Sequence, residues 1–357
     1  MLRFEDGILG LLPKDVWLDV GNDVERPNDP VDQVFGDIKT DNLVAEWESS
    51  AAEYNLPVMA QFHAFDVEAQ KTLRMPIDTH NIEKGLIKVK IDQSERLRQL
   101  KGRGVINESR LAEKTLNDGY NLAEEVFTRS KVAKNEVLAT GKMTITENNL
   151  NLTVDYGVPA GNLSLVLDFG DGATKPLDEQ LLDLKEASSA AGAAVNGIYT
   201  SERMLNALRK NKAIQKAVNG AGMVGQLVRN SDLREYLASE FGITRILTND
   251  LHYSLPLTIG SDGRPHVTAK RYYPQDRISF FSADGTLGDG LWGLPPEADA
   301  EPFATAVASG DFPYVFVDQY AENDPKVVWT KASGLFIPVL YNPNALYVAT
   351  YANTPGA

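Results

Sequence analysis

Apolar residues recur at helical spacing over one long stretch of the chain, from about Ser109 to Thr140. They predict a helix whose buried stripe consists of Leu122, Val126, Phe127, Ala133, Val137 and Leu138. The polar side is predicted to carry Glu124, Glu125, Arg129, Lys131 and Lys134. About thirty residues at 1.5 Å each give roughly 45 Å, which is long for a globular domain. Asn117-Asp118-Gly119 is the weak point of this helix, and Gly141 is its predicted end.

Alternation of apolar and polar residues predicts a β-strand before this helix, from Gly85 to Gln93. A second strand-like segment, Asn42–Glu48, lies far upstream, and the residues between the two show few helix signals. We interpret residues 38–92 as one extended loop, a long β-ribbon. Because a two-stranded ribbon is only marginally stable alone, we expect it to lie against a neighbouring subunit.

After the long helix the pattern changes to short strands and short helices. Residues 142–146 and 151–156 alternate on either side of Glu147-Asn148-Asn149, which predicts a β-hairpin. Capping or first-turn residues predict three helices, namely Pro176 to Ala190, Ser201 to Asn211 and Ser231 to Phe241. Further strands are predicted at 243–247, within 254–282, and at 327–330, 334–341 and 346–351. Gly285 to Pro296 reads as a glycine-rich loop.

The first forty residues show little periodicity. Asparagine, aspartate and proline crowd residues 22–32, a composition typical of irregular chain. We therefore interpret residues 1–37 as an extended N-terminal arm. The apolar residues just before this stretch, between Ile8 and Leu18, are expected to dock on this subunit or on another.

Composition narrows the classes of function. The chain has 357 residues, of which 43% are hydrophobic, enough for one large or two medium domains. It contains no run of about eighteen apolar residues and begins without the signature of a signal peptide, so neither a membrane span nor export is predicted. The absence of cysteine excludes disulfides and thiolate metal sites. A net charge of −14 argues against sequence-specific nucleic-acid binding. It is compatible with a container that holds DNA without adhering to it, and an ordinary acidic soluble protein explains it equally well.

A search for catalytic or ligand-binding motifs gives no candidate. The four histidines lie far apart in sequence without metal-ligand spacing. Residues 170–175 end in Thr-Lys but lack the glycine spacing and the residue order of a phosphate-binding loop. Residues 285–293 are glycine-rich, yet no dinucleotide-type βαβ unit surrounds them. We therefore predict no enzyme activity, no cofactor, and no catalytic or metal-ligating residue.

The order of elements is an arm, a long β-ribbon, a long helix, a β-hairpin, a compact α/β insert and returning strands. This order resembles the shell proteins of tailed phages, and more specifically the lambda-type major capsid protein E family. The resemblance extends from about Lys39 to Ala352. It is strongest in four segments, which are Thr40–Trp47, Leu73–Lys90, Leu122–Ile145 and Gly285–Pro296.

The resemblance implies an α+β fold of the tailed-phage major capsid type. It implies an N-terminal arm at 1–37, an extended loop at 38–92, a peripheral domain at 93–170 and 322–357 with its spine helix at about 109–140, and an axial domain at 171–321. It also implies a structural protein that self-assembles, as hexamers and pentamers, into an icosahedral shell around double-stranded DNA. The expected location is the capsid of the virion, with assembly in the host cytoplasm.

The same resemblance implies portal, scaffold and cement proteins as partners, packaged DNA that is not bound by sequence, and no membrane. The candidate residues for contacts between subunits are Trp47, Phe62, Phe65 and Arg74. For the aromatic residues among them, packing inside their own chain is the alternative. Three alternative functions stay open, namely an encapsulin-like compartment shell, another structural component of the virion, and a soluble enzyme that uses the 285–293 loop.

Overall fold

Two β-sheets and one long helix organise the chain, for which the computed structural model describes residues 11–50, 59, 77–93, 108–170, 173–260, 264–283, 287–310, 312–323 and 326–352. The helices are α1 Lys14–Asp23, α2 Glu108–Thr140, α3 Ala160–Leu163, α4 Leu177–Ala190, α5 Glu202–Lys210, α6 Lys212–Asn219, α7 Asn230–Phe241 and α8 Phe303–Ser309. The strands are β1 Phe35–Lys39, β2 Val44–Ser50, β3 Ile77–Glu83, β4 Gly85–Gln93, β5 Lys142–Ile145, β6 Leu152–Asp155, β7 Leu165–Asp168, β8 Gly197–Thr200, β9 Arg245–Thr248, β10 His252–Ser254, β11 Thr258–Ile259, β12 Pro265–His266, β13 Ala269–Arg271, β14 Arg277–Phe281, β15 Gly288–Gly293, β16 Phe316–Asn323, β17 Lys326–Leu340 and β18 Leu346–Ala352.

The long helix is confirmed as α2, which runs unbroken through Asn117-Asp118-Gly119 and ends at Gly141 with a left-handed φ of 68°. Its predicted apolar stripe is confirmed as well, since all six residues of the stripe are buried. The polar side is predicted wrongly at two positions. Lys131 and Lys134 are 3% and 1% exposed because acidic residues of the N-terminal segment cover them.

The first sheet has the strand order β1-β15-β17-β16, with β4 paired to the opposite edge of β17. The predicted strand at Gly85–Gln93 is confirmed as β4, but its partner is β17 rather than the upstream strand. The ribbon instead consists of β2 and β3, which pair from Val44 with Glu83 to Ser50 with Ile77. Part of the segment predicted as an extended loop, namely β4, therefore belongs to the first sheet.

The glycine-rich segment predicted as a loop contains a buried strand, β15, which lies between β1 and β17. Its glycines reflect close packing rather than a turn. A Cβ added at Gly288 would come within 2.0 Å of the Val339 carbonyl oxygen, and one at Gly290 within 2.7 Å of Phe336. Glycine is thus required where the backbone of a strand approaches its neighbours this closely.

The N-terminal segment, predicted as an extended arm, is folded from Leu11 onward in the part that the structure describes. Helix α1 buries Trp17 and Val20 against α2 and β16, and β1 extends the first sheet. Of the predicted apolar residues near the terminus, Leu12, Trp17 and Leu18 therefore dock on their own chain. Residues 1–10 lie outside the described residues.

The second sheet has the order β7-β18-β14-β8-β9 and packs against α4, α5, α6 and α7 around a second core. Its strands β7 and β18 come from residues that the sequence analysis assigned to a peripheral domain, whereas β15 and β16, assigned to an axial domain, lie in the first sheet. The boundaries expected at 171 and 322 thus do not coincide with the two sheets.

Most of the shorter elements are confirmed. The hairpin β5–β6 forms around Asn148 and Asn149, both with positive φ, and Ser201 caps α5 by accepting from the Met204 amide. Ser231 is wrong as a cap, since α7 already begins at Asn230. The two strands predicted at 327–330 and 334–341 are one continuous strand, β17.

Candidate functional site

The ribbon formed by β2 and β3 leaves the first sheet at a root that is held by a buried lysine. Lys84 lies between β3 and β4 and is 3% exposed. Its ammonium group donates hydrogen bonds to the Thr40 hydroxyl and the Asn42 carbonyl oxygen, and its backbone amide donates to the Leu43 carbonyl at 3.1 Å. Burial lowers the pKa of Lys84, opposed by the nearby charge of Asp41. One side chain thus ties together the two chain segments that enter the ribbon.

The root of the ribbon is also packed by Trp47, one of the residues predicted to contact a neighbouring subunit. Trp47 stacks on its cross-strand partner His80, with ring centroids 5.0 Å apart, and lies 6.0 Å from the ring of Tyr156. The Tyr156 hydroxyl in turn donates to the Pro338 carbonyl oxygen at 2.6 Å. Trp47 is 5% exposed. The alternative reading, packing inside its own chain, is therefore the one that the structure supports for this residue.

The other three candidates for contacts between subunits, Phe62, Phe65 and Arg74, lie outside the described residues. They belong to the stretch that joins Ser50, the end of β2, to Ile77, the start of β3. Within that stretch the structure describes Met59, which is 84% exposed.

A buried polar junction, formed by Asp29, Asn135, Tyr199 and Asn249, connects the N-terminal segment and α2 to the second sheet. The Asp29 carboxylate accepts from the Val31 amide at 2.8 Å and from the side-chain amides of Asn249 and Asn135 at 2.9 and 3.2 Å. The Tyr199 hydroxyl donates to the Asn135 side-chain oxygen at 2.8 Å. Burial raises the pKa of Asp29 and also that of Tyr199.

All four residues of this polar junction are buried and hydrogen-bonded to one another or to the backbone. Such a satisfied network fixes the relative position of the segments that it joins. Because its polar groups face each other rather than an open cleft, the junction acts as a structural tie and not as a reaction centre.

A cluster of charges lies around two buried lysines of α2, beside Asn135. Lys131 pairs with Asp32 at 2.6 Å, and Lys134 pairs with Asp32 at 3.1 Å and with Asp37 at 2.9 Å. Asp37 also accepts from the indole nitrogen of Trp292 in β15, at 2.8 Å. The cluster attaches the N-terminal segment and β1 to the middle of α2.

Features of an enzyme site are not brought together in the described part of the chain. No group of three or more histidine, aspartate or glutamate side chains there is close enough to hold a metal ion. His80 lies against Trp47, whereas His252 and His266 are exposed. Lys175, the last residue of the Thr-Lys segment, pairs with Asp183 of α4 at 2.5 Å. The described helices also include none with the length and hydrophobicity of a membrane span.

The fold as a whole is that of phage capsid subunits. A prophage protein from E. coli CFT073, described as a capsid protein, superposes with a TM-score of 0.51 at 13% identity over 95% of this chain and 97% of that one. A phage-related protein from Bordetella bronchiseptica RB50 gives a TM-score of 0.55 at 10% identity over the full length of both chains. At such identities the likeness concerns the fold. Among curated proteins, no sequence matches this chain.

The sequence itself identifies the family. Residues 109–351, more than half of the chain, match the phage major capsid protein E family, and the chain belongs to it. It is therefore a structural protein of a phage capsid shell and not an enzyme. An encapsulin-like compartment shell would share this fold, so the family match, and not the fold, distinguishes the chain from that alternative.

Proposed function

We propose that this capsid protein forms hexamers and pentamers that close into an icosahedral shell around double-stranded phage DNA, and that the β2–β3 ribbon interlocks neighbouring subunits. The proposal rests on the way in which the ribbon is attached to its own subunit. Lys84 and Trp47 hold it firmly, while in the described part of the chain β2 and β3 form a sheet only with each other. A two-stranded sheet gains stability when another surface covers it, and a shell supplies that surface on an adjacent copy.

The charge of the chain supports the enclosure of DNA without tight binding. With a net charge of −14, each subunit as a whole repels phosphate. Proteins that contact about six to ten phosphates lose roughly a thousandfold or more in affinity between about 50 and 200 mM salt. The free subunit has little such affinity to lose, so the duplex is confined rather than bound.

The two sheets support a division of labour within the subunit. The first sheet with α2 corresponds to a peripheral domain, and the second sheet with α4, α5, α6 and α7 corresponds to an axial domain around the capsomer centre. Assembly in the host cytoplasm, together with portal, scaffold and cement proteins, completes the proposal.

Electron microscopy of the purified chain tests it directly. We expect closed particles with icosahedral symmetry, and we expect the unassembled subunit to leave duplex DNA unshifted at moderate salt. Rings or tubes would indicate another component of the virion. A particle whose native preparations contain an enzyme as cargo would indicate a compartment shell. Submicromolar DNA binding that weakens steeply with salt would replace the container with a nucleoprotein role.

A further inference from the structure

The segment from Leu251 to Arg271 forms a narrow hairpin that projects from the second sheet, between β9 and β14. It consists of two short ladders, β10 with β13 and β11 with β12. The backbone amides of Leu255 and Gly260 continue the pairing by donating to the Thr268 and Arg264 carbonyl oxygens, each at 2.9 Å. We call this segment the projecting hairpin. At about 3.3 Å per residue, its nine-residue outgoing arm extends roughly 30 Å.

The base of the projecting hairpin is fixed to the body of the subunit. Arg271 pairs with Asp250 at 2.6 Å, and the Tyr253 and Tyr272 rings lie 5.0 Å apart. The Tyr272 amide also donates to the Leu251 carbonyl oxygen at 3.2 Å. The hairpin is therefore held at its root, whereas each described residue from Pro256 to Lys270 except Gly260 is exposed.

The outer half of the projecting hairpin has one apolar face. Ile259 pairs with Pro265, and cross-strand partners lie on the same face of a two-stranded sheet. Leu257 and Val267 lie one residue beyond these two short strands, and the alternation of side chains, continued by that one residue, places both on the same face. The opposite face carries the next pair, Thr258 with His266.

This apolar face is left open by the subunit itself. Leu257 is 62% exposed, Ile259 79% and Val267 70%. A hairpin with one apolar face is of marginal stability unless that face packs against another surface. In a sheet with one face toward water, the apolar face is normally the covered one.

The charge of the projecting hairpin indicates which kind of surface covers its apolar face. Asp250 neutralises Arg271 at the base, and residues 255–270 carry two basic residues, Arg264 and Lys270, against one acidic residue, Asp262, in a chain whose net charge is −14. A basic, apolar element is thus presented by an acidic protein. Its charge complements the rest of the surface of this same chain, which other copies present beside it in a shell.

We infer that the projecting hairpin docks through Leu257, Ile259 and Val267 onto an acidic, partly apolar surface of a second copy of this chain, a contact separate from that of the ribbon. The inference rests on the proposed shell. DNA is the weaker occupant, because phosphate would pair with Arg264 and Lys270 but would leave the apolar face in water.

The double variant Leu257→Ser with Ile259→Ser tests this contact, and Thr258→Ala with Thr268→Ala, away from the apolar face, is its control. Thermal unfolding of the unassembled subunit should be unchanged in both, since the substituted side chains are exposed. The fraction of chain in closed shells, measured by sedimentation, should fall by about tenfold or more in the first variant only, as when apolar anchors of an interface are lost. Normal assembly of that variant, or unfolding of its subunit, would overturn the inference.

A cross-linking experiment tests the occupant independently. Because the chain has no cysteine, Ile259→Cys introduces a single thiol that can carry a benzophenone photo-cross-linker. Irradiated shells should yield a product of two chains, identified by mass spectrometry. Cross-links to DNA, or only within one chain, would reject the second copy as occupant. If the unaltered chain formed no shells at all, the proposed function would fail instead, and microscopy of that chain distinguishes the two cases.

Discussion

The ring of Trp17 lies directly against Gly119, so that a Cβ added at the glycine would come within 2.5 Å of the Trp17 Cζ3 atom. Trp17, on α1, is 1% exposed, and Gly119 lies inside α2. Alanine would favour a helix interior over glycine by about 1 kcal/mol. The glycine is nevertheless needed, because the N-terminal helix packs against α2 at this position.

We predict that Gly119→Ala destabilises the subunit by about 1–2 kcal/mol in urea unfolding, since overpacking costs about 1–3 kcal/mol and the gain in helix propensity offsets only part of it. Tryptophan fluorescence should report the displacement of Trp17. Gly161→Ala in α3 is the control, because its Cβ would meet no atom within 4 Å. Equal stability of Gly119→Ala and the unaltered chain would mean that α1 moves aside at no cost.

The apolar stripe of α2 should not accept a charge. Val126 is fully buried, and its Cγ1 atom lies 2.9 Å from where a Cβ on Gly334 of β17 would stand. Val126→Asp places an unpaired carboxylate between the helix and the strand, at an expected cost of several kcal/mol. Asn121→Asp introduces the same side chain at an exposed position of the helix and should change the urea midpoint little. Similar midpoints for the two variants would contradict the packing of α2.

A charge reversal at Lys131 should also destabilise the subunit, although Lys131 belongs to the polar side predicted from sequence. Lys131→Asp would replace the partner of Asp32 with a second carboxylate in a buried place, and the Pro27 carbonyl oxygen would lose its donor. Since Asp32 is partly exposed, we expect a loss of about 2–4 kcal/mol rather than the full cost of a broken buried pair. Lys114→Asp, at an exposed position of the same helix, is the matched control and should cost clearly less, about 1 kcal/mol or below, since Asp118 loses only the nearby charge of Lys114. Tolerance of Lys131→Asp would support the solvent-facing position expected from sequence alone.

Lys131 and Lys134 show where sequence patterns stop being informative. The periodicity of apolar residues predicted nearly the full extent of α2, and alternation predicted both ends of β4. Lysine on a helix is by default solvent-facing, and the acidic partners of these two lie about a hundred residues earlier. A local pattern cannot contain such a pairing, so the burial of both was missed.

The same limit applies to β15 and to the root of the ribbon. Gly288, Gly290 and Gly293 suggest a loop in the sequence, because the neighbours that leave no room for a larger side chain are distant along the chain. Lys84 directly precedes the predicted strand Gly85–Gln93, and the sequence gives no sign that it is buried, since its partners, near Thr40, are reached only through the fold. Trp47 is a conspicuous aromatic residue in the sequence, but its burial under His80 and Tyr156 depends on the pairing of β2 with β3.

Glu297 should make the free energy of unfolding of the subunit depend on pH in the acidic range. Burial alone would raise its pKa, but hydrogen bonds from Lys331 at 2.6 Å and Ser333 at 2.7 Å outweigh it and lower the pKa from 4.5 to about 2. The folded state therefore binds this proton more weakly than the unfolded state. The resulting stability is complete above about pH 4.5 and is lost as the pH falls toward about 2.

We accordingly expect Glu297→Gln to lower the free energy of unfolding by about 2 kcal/mol at pH 7 and by progressively less below pH 4.5. Urea unfolding at a series of pH values measures this difference. Glu147→Gln is the control, since the Glu147 carboxylate in the ion pair with Arg129 is 60% exposed and such pairs contribute about 0–1 kcal/mol. A difference between Glu297→Gln and the unaltered chain that is independent of pH would show that the carboxylate is not the group responsible.

Residues 51–76, which join β2 to β3, should be dispensable for folding and necessary for assembly. Ser50 and Ile77 are paired at the far end of the β2–β3 ladder, so an Asn-Gly turn can replace residues 51–76 and close a two-residue hairpin. The variant retains Ile77 and Asp78, the first two residues of β3, so that the β2–β3 ladder stays complete. Because Lys84 and Trp47 are retained, the melting temperature of the subunit should change little, while closed shells should no longer form in sedimentation and microscopy.

A variant with a Gly/Ser segment of the original length in the same place separates reach from sequence. It should fail as well, since a flexible segment supplies neither Phe62, Phe65 nor Arg74 to a neighbour. Normal closed shells from the Asn-Gly variant would show that the subunits are joined by other surfaces.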